Sequence, residues 1–257
     1  MTNVQQTSEE EFLATYDMSR YARPSVTVDD VVLARDEGPR LRVLLVTRGG
    51  HPYRGRLALP GGFLRSGDAI GDRESPEQAV VREVVEETGV EPSFLEQLAT
   101  YGDVDRDPRG HVVSVAYWGC VPRSVADQAV LSGDDASDAG WYGIRNPHDR
   151  KGGLRVVGTD GSEVPCENLA FDHGRILADA VSRIEGKMLW TDALLGFFAT
   201  DERFSIRDVY DLACAVWDAC GTRRGDKGNF YRDFDRRFGA WCRRDGSIKG
   251  VRMYVKA

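Results

Sequence analysis

No apolar run in this 257-residue chain approaches the roughly 20 residues that span a bilayer. The opening Met1-Thr-Asn-Val-Gln-Gln-Thr-Ser-Glu-Glu-Glu lacks the basic region and apolar core of an export signal. It reads as a frayed acidic tail, and the expected compartment is cytoplasmic. Cysteine is sparse: Cys120, Cys166, Cys214, Cys220 and Cys242 are odd in number, with no Cys-x-x-Cys spacing. That pattern speaks against a disulfide framework and a zinc cluster, and for buried thiols. Of the four histidines, His51, His111 and His148 have no partner spacing and are expected in surface or structural roles, while His173 is expected to tether the start of a helix.

What is present is an ordinary globular composition, 41% apolar and 29% charged, long enough for two modest domains. Net charge is −7, but residues 221–257 carry eleven Lys/Arg against four Asp/Glu, which leaves −14 on the first 220. An acidic body with a basic end suggests that this end meets a polyanion.

The most informative stretch is Glu74-Ser-Pro-Glu-Gln-Ala-Val-Val-Arg-Glu-Val-Val-Glu-Glu-Thr-Gly89. Ser75 can cap a helix, Pro76 suits its first position and Gly89 can end it. On that helix Glu83, Glu86 and Glu87 stand at i, i+3 and i+4, beside Arg82, which can reach Glu86. Val81, Val84 and Val85 are expected to anchor it. Three like charges on one face repel one another, so a hard cation, Mg²⁺ or Mn²⁺, is the natural compensator. Upstream, Gly61 and Gly62 in Leu59-Pro-Gly-Gly-Phe form a turn that lets backbone approach a phosphate or metal.

Before this helix, residues 24–34 and 41–48 read as paired strands; after it, residues 94–102 and 111–121 read as further strands. Between the later two, Tyr101-Gly-Asp-Val-Asp-Arg106-Asp-Pro-Arg109 reads either as a ligand grip or as a tight turn held by Asp–Arg pairs. In the first case Arg106 and Arg109 offer planar donors to phosphate or ribose oxygens and Tyr101 stacks on a base. Residues 146–168, rich in Gly, Asp and Arg, read as a linker with room for a small hairpin.

Helical periodicity returns in Ile176, Leu177, Ala180, Val181 and Ile184, with Asp172 as the expected cap. Further helices are expected over 191–198, 205–220 and 228–242, then a hairpin over 245–256. Ser205 and Asp208 fit a capping box. Helix, turn, basic helix and hairpin is the order of a winged helix-turn-helix. Phe230, Phe234 and Phe238 would seat the reading helix, leaving Lys227, Asn229, Tyr231, Arg232 and Arg236 for base edges. Arg243, Arg244, Lys249 and Arg252 suit phosphates. The alternative is a solvated basic face, since Asp233 and Asp235 interrupt the charge.

The glycine turn and acidic helix together resemble the Nudix box, a loop-helix-loop of a glycine, a glutamate and Arg-Glu-x-x-Glu-Glu-x-Gly that holds divalent metal on a diphosphate. One departure stands out: eleven residues separate Gly62 from Glu74 where the family has five, and Asp68 holds the usual spacing from Gly62 but not from Arg82. Such an insertion would be expected to shift the glycine turn against the helix. More broadly, Arg23-Pro-Ser-Val-Thr-Val-Asp, Leu95-Glu-Gln-Leu, Val113-Ser-Val-Ala-Tyr, Leu169-Ala-Phe-Asp-His and Asn229-Phe-Tyr-Arg make the chain similar to Nudix-related transcriptional regulators.

The resemblance implies an α/β (α+β) Nudix mixed-sheet sandwich with a C-terminal winged helix-turn-helix. The expected division is a flexible tail over 1–20, a Nudix domain over 21–145, the linker over 146–168 and the winged helix over 169–257. It implies a homodimeric repressor of genes for NAD or related metabolism that binds operator DNA and is released by ADP-ribose or a similar effector. The alternative is an Mg²⁺-dependent pyrophosphohydrolase. There Glu86 and Glu87 would hold metal, Glu83 would bind metal or activate water, and Arg82 would orient a carboxylate. The regulator is the favoured reading, because a basic winged helix has no evident use in a pyrophosphatase.

Overall fold

The computed structural model describes residues 8–67, 70–128, 130, 136–146 and 153–257. Asp68 and residues 147–152 of the expected linker, His148 among them, lie outside them. Ser8 and Glu11 form a capping box on α1 (Glu9–Thr15), so part of the expected tail is helical, although none of its side chains is buried.

Strand β1 (Ser25–Arg35) is the axis of a nine-stranded sheet. Strand β2 (Leu41–Arg48) runs antiparallel to it; β3 (Leu57–Ala58) pairs with β2, and β4 (Gly61–Phe63) returns to pair with β1. On the other side β5 (Phe94–Tyr101) is antiparallel to β6 (Val112–Val121), which lies parallel to β1 with Val31 opposite Trp118. Beyond β2 come β7 (Ala136–Arg145), β8 (Arg155–Val157) and β9 (Glu163–Pro165). The stretch read as a linker therefore contributes two strands to the sheet. Val156 gives the reason, since it is fully buried and extends the core past β7.

Side chains alternate across a strand, so β1 can serve two layers. Val28, Val32 and Ala34 face Ala79, Val80 and Val84 of α2 (Pro76–Thr88), together with Ala126 of the short α3 (Arg123–Ala126). Val31 and Leu33 instead join Ile176, Leu177, Ala180, Val181 and Ile184 of α4 (His173–Lys187). The sequence placed α4 with the C-terminal unit; its apolar stripe covers the main sheet and shares one core with the helices that follow.

After α4 a 3-10 turn, Ala193–Phe197, replaces the expected helix over 191–198. The end of the chain holds β10 (Phe204–Ser205), α5 (Ile206–Cys220), α6 (Lys227–Phe238), β11 (Cys242–Ile248) and β12 (Val251–Lys256), with sheet order β10-β12-β11. This is the winged helix-turn-helix expected from the sequence. The Ser205–Asp208 capping box is formed. Helix α6 stops at Phe238 because Cys242 opens the hairpin strand. Lys249 and Gly250 close the hairpin with φ of 48° and 80°, the left-handed pair that a two-residue turn requires. All five cysteines are free thiols, four of them buried. No helix among the described residues is long and apolar enough to cross a membrane.

Candidate functional site

Helix α2 begins as expected: Ser75 and Gln78 cap each other across the first turn, Pro76 is its first residue, and Gly89 ends it in the left-handed region at φ 70°. Ala79, Val80, Val84 and Thr88 are its buried residues, while Val85 is exposed. The anchoring face is thus rotated from the one expected, which turns Glu83 and Glu87 toward the glycine turn.

Arg82 organises the carboxylates. Its Nε and Nη2 donate to Glu74 Oε2 and Oε1 at 3.0 and 2.6 Å, and its Nη1 lies 2.8 Å from Glu83 Oε1 and 2.9 Å from Glu86 Oε2. The paired hydrogen bonds from Arg82 hold the Glu74 carboxyl below its usual range. Glu74 thereby fills the position of the box's first glutamate.

The inserted residues do not displace the glycine turn as expected, because they close on themselves. Arg65 N–H donates to Glu74 Oε1 at 2.8 Å, Glu74 N–H to Arg65 O at 3.2 Å, and Ser66 pairs with Arg73. Gly61 N–H still donates to Glu87 Oε2 at 3.1 Å, and a Cβ on Gly62 would run into the Glu83 carboxylate. A Cβ on Gly61 would strike the Val28 carbonyl, which is backbone and cannot turn aside. Gly61→Ala is therefore expected to cost about 1–3 kcal/mol, read as a lower urea midpoint, whereas Gly62→Ala should cost less, because the Glu83 side chain can move.

Between the turn, α2 and the start of α4 lies a cleft of about 480 Å³. Arg48, Arg65, Arg82, Arg106 and Arg109 face Asp29, Glu83, Glu87 and Asp107 across it. Burial, with Glu83 and Asp29 nearby, pushes Glu87 up to about 7; burial raises Glu83 as well, although Arg82 opposes it. Two carboxyls so placed match a divalent cation. Glu86, the third expected ligand, stands outside the cleft, with Oε1 3.1 Å from Arg65 Nη2 and Oε2 on Arg82. Among the described residues no three acidic, His or Cys side chains already enclose an ion.

The loop after β5 behaves differently from the expected grip. Tyr101 is outside the cleft: its hydroxyl donates to Asp179 Oδ2 of α4 at 2.8 Å, and its ring is buried, so it does not stack on a ligand. Arg106 lines the cleft but is buried, donating to Asp172 at 3.0 and 2.6 Å and lying 3.5 Å from Asp29. Asp172 therefore does not cap α4 through its side chain. Arg109 clamps Asp107, with Nη2 to Oδ2 at 2.7 Å, so the tight-turn reading is realised within the cleft wall.

Several cleft residues were not expected from the sequence to line a ligand site. His173 Nδ1 accepts from Leu59 N–H at 2.8 Å, and its Nε2 lies 3.3 Å from Asp29 Oδ1, which ties α4 to the glycine turn as its expected tether. Burial would raise Asp29, yet His173, Ser114 and Arg106 hold it below its usual range. Arg48, His51, Phe63 and Phe171 complete the walls. Asp29, Phe171 and His173 fall in two of the motifs that carried the resemblance, so the signal was in the sequence without their place in the cleft.

At the other end of the chain Phe230, Phe234 and Phe238 are buried, as expected, which exposes Lys227, Asn229, Arg232 and Arg236. Tyr231 is only half-exposed, packed edge-on against Tyr210. Asp233 draws Arg236 to 3.1 Å and Arg237 to 3.7 Å, but Arg243, Arg244, Lys249 and Arg252 stand exposed on the hairpin.

The NUDIX domain family model matches residues 24–153. The ADP-ribose pyrophosphatase of Methanocaldococcus jannaschii is 34% identical over 62% of this chain and 74% of its own length. The chain belongs to the Nudix family. The ADPR responsive transcriptional repressor NtrR of Acinetobacter baylyi is 30% identical to this Nudix chain, over 72% of it and 64% of the repressor. A MutT/nudix family protein from Enterococcus faecalis superposes with a TM-score of 0.76 at 29% identity, covering 98% of this chain and 95% of that one. Shewanella oneidensis NrtR, solved in complex with a 27mer DNA, does so with a TM-score of 0.63 at 26% identity, covering 90% and 93%. The architecture is that of the NrtR-like members, a Nudix sheet followed by a winged helix. Nudix hydrolases in general use divalent metals, and of the three helix glutamates only Glu83 and Glu87 line the cleft here.

Proposed function

We propose that this chain is a cytoplasmic, homodimeric transcriptional repressor of genes for NAD or related metabolism, which binds operator DNA through α6 and its hairpin and is released by ADP-ribose or a similar nucleotide sugar. The observation that carries this reading is the coexistence, in one chain, of a cleft lined by arginines and carboxylates and a winged helix whose exposed face is basic. Support comes from the two solved or characterised relatives described as ADPR-responsive or DNA-bound. In this reading α6 enters a major groove with Asn229, Arg232 and Arg236, and the hairpin cations meet phosphates. Helix α4 joins the two sites, since its first residue, His173, walls the cleft and its body packs in one core with α5 and α6.

Hydrolysis is the second reading, favoured by the complete set of box carboxylates and the undisplaced glycine turn. Glu83 and Glu87 would hold Mg²⁺ or Mn²⁺, joined by Glu86 once it leaves Arg65 and Arg82. The cation would supply positive charge to the diphosphate oxygens. Arg82 keeps Glu74 and Glu83 in fixed directions, and Glu83 would accept a proton from water.

A gel shift on the chain's own upstream region, with and without ADP-ribose, beside an Mg²⁺-dependent AMP-release assay, separates the readings. Arg232→Ala with Arg236→Ala is expected to abolish the shift and spare ADP-ribose binding. Glu86→Gln with Glu87→Gln should remove any hydrolysis and leave the shift intact. Fast AMP release with no shift on any upstream fragment would overturn the repressor reading.

A further inference from the structure

Arg109 does more than hold Asp107. Its guanidinium carbon lies 5.2 Å from the centre of the Phe63 ring and 5.5 Å from that of Phe171. The rings come from separate elements, Phe63 from β4 and Phe171 from the approach to α4, and both line the cleft that holds the glutamates. Phe63 is 46% exposed beside the glycine turn, an open position for a large apolar side chain. Phe171 has φ of 51°, a left-handed conformation that a bulky residue adopts only at some cost. Its ring is nonetheless fixed, edge-on to Tyr53 at 4.9 Å and with the Arg48 guanidinium 4.9 Å away. A planar cation bridging two aromatic faces marks a place where a flat π-system fits, because both are held by the same ring quadrupoles and dispersion.

We propose that Phe63 and Phe171 form a base subsite, in which the planar heteroaromatic ring of a nucleoside diphosphate sugar stacks where Arg109 now lies. This rests on the ligand reading above. Arg109 remains anchored by Asp107, whose side chain is only 2% exposed, and on displacement presents its guanidinium to the ring edge or the adjoining phosphate. The subsite makes the cleft selective for a base-bearing ligand over sugar phosphates, which share only the phosphate contacts of the arginines.

The test is calorimetric titration of the full chain with ADP-ribose and with inorganic pyrophosphate, for wild type, Phe63→Leu, Phe63→Trp and Phe171→Leu. Leucine stays apolar and loses the face, so Phe63→Leu and Phe171→Leu are expected to weaken ADP-ribose roughly 10- to 100-fold, the range for one base–aromatic stack. Their response to pyrophosphate should match wild type. Phe63→Trp should restore ADP-ribose affinity and add an indole whose fluorescence the ligand quenches saturably; the Phe63 variants suffice if Phe171→Leu does not fold. Unchanged ADP-ribose affinity in Phe63→Leu, or no added quenching in Phe63→Trp, would overturn the subsite alone. Absence of ADP-ribose binding by wild type would overturn the ligand reading and the subsite with it.

Discussion

Asp30→Asn is expected to stabilise the folded chain by about 2–3 kcal/mol at pH 8 and to give little or no gain at pH 5. Asp30 has no exposed surface, and neither carboxylate oxygen meets a hydrogen-bond partner among the described residues. It sits on the α2 side of β1, between Val28 and Val32, where nothing neutralises a charge. Burial, with Asp29 adding to it, pushes its carboxyl up to about 7. In the unfolded chain the same group titrates near 3.8.

Between those values the folded state holds a proton that the unfolded state has lost, so stability falls as pH rises from about 4 to about 7 and levels off above. The ceiling on that loss is about 4 kcal/mol, from roughly three units at 1.36 kcal/mol each. The amide of Asn returns part of the gain, because it too buries unpaired donors. Glu83 and Glu87 are also raised and slope the wild-type curve in the same direction. The difference between variant and wild-type urea midpoints at pH 5 and pH 8 isolates Asp30, and parallel pH profiles would refute its assignment as a buried neutral acid.

Local spacing carried much of this structure. The two ends of α2, the Ser205 capping box and the phenylalanines of α6 were legible because each depends on residues within one or two turns. The face that α2 buries was less so: its four valines fit two stripes about equally, Val80 with Val84 and Val81 with Val85, and only the sheet opposite selects Val80 and Val84. What the sequence hid was long-range pairing. The insertion before Glu74 is harmless because Arg65 meets Glu74 across it, which no count of residues reveals. Tyr101 turns from the cleft because Asp179, seventy-eight positions later, accepts its hydroxyl proton in a hydrogen bond. Arg106 was recognised as a cleft residue, but its partner lies sixty-six positions away in the turn before α4.

That last pair carries the largest expected effect on regulation. The Arg106 side chain is 4% exposed, and its charge is balanced chiefly by Asp172, with Asp29 3.5 Å away. In the proposed reading, a diphosphate entering the cleft would compete for the same guanidinium, so its binding would work against the bond that holds the start of α4. Fifteen helical residues, on the order of 22 Å, connect that point to the far end of α4. There Leu189 O accepts from Arg237 of α6 at 3.4 Å, and Trp190 packs against the same guanidinium at 5.0 Å.

If ligand and DNA are linked through this rod, Asp172→Asn should still bind ADP-ribose while losing most of the ligand's effect on operator affinity, a shift of roughly 5- to 150-fold in typical linked systems. It should also cost about 1–3 kcal/mol of stability, because a buried guanidinium loses its nearest charge and one of its two acceptors. Arg106→Met with Asp172→Leu separates the two effects: replacing both partners by apolar groups recovers stability, but the ligand then has no bond to compete with. Operator anisotropy titrations with and without ADP-ribose read the coupling directly. A double variant that is stable, binds both ligands and still releases DNA on ADP-ribose addition would place the coupling elsewhere in the interface between α4 and α5.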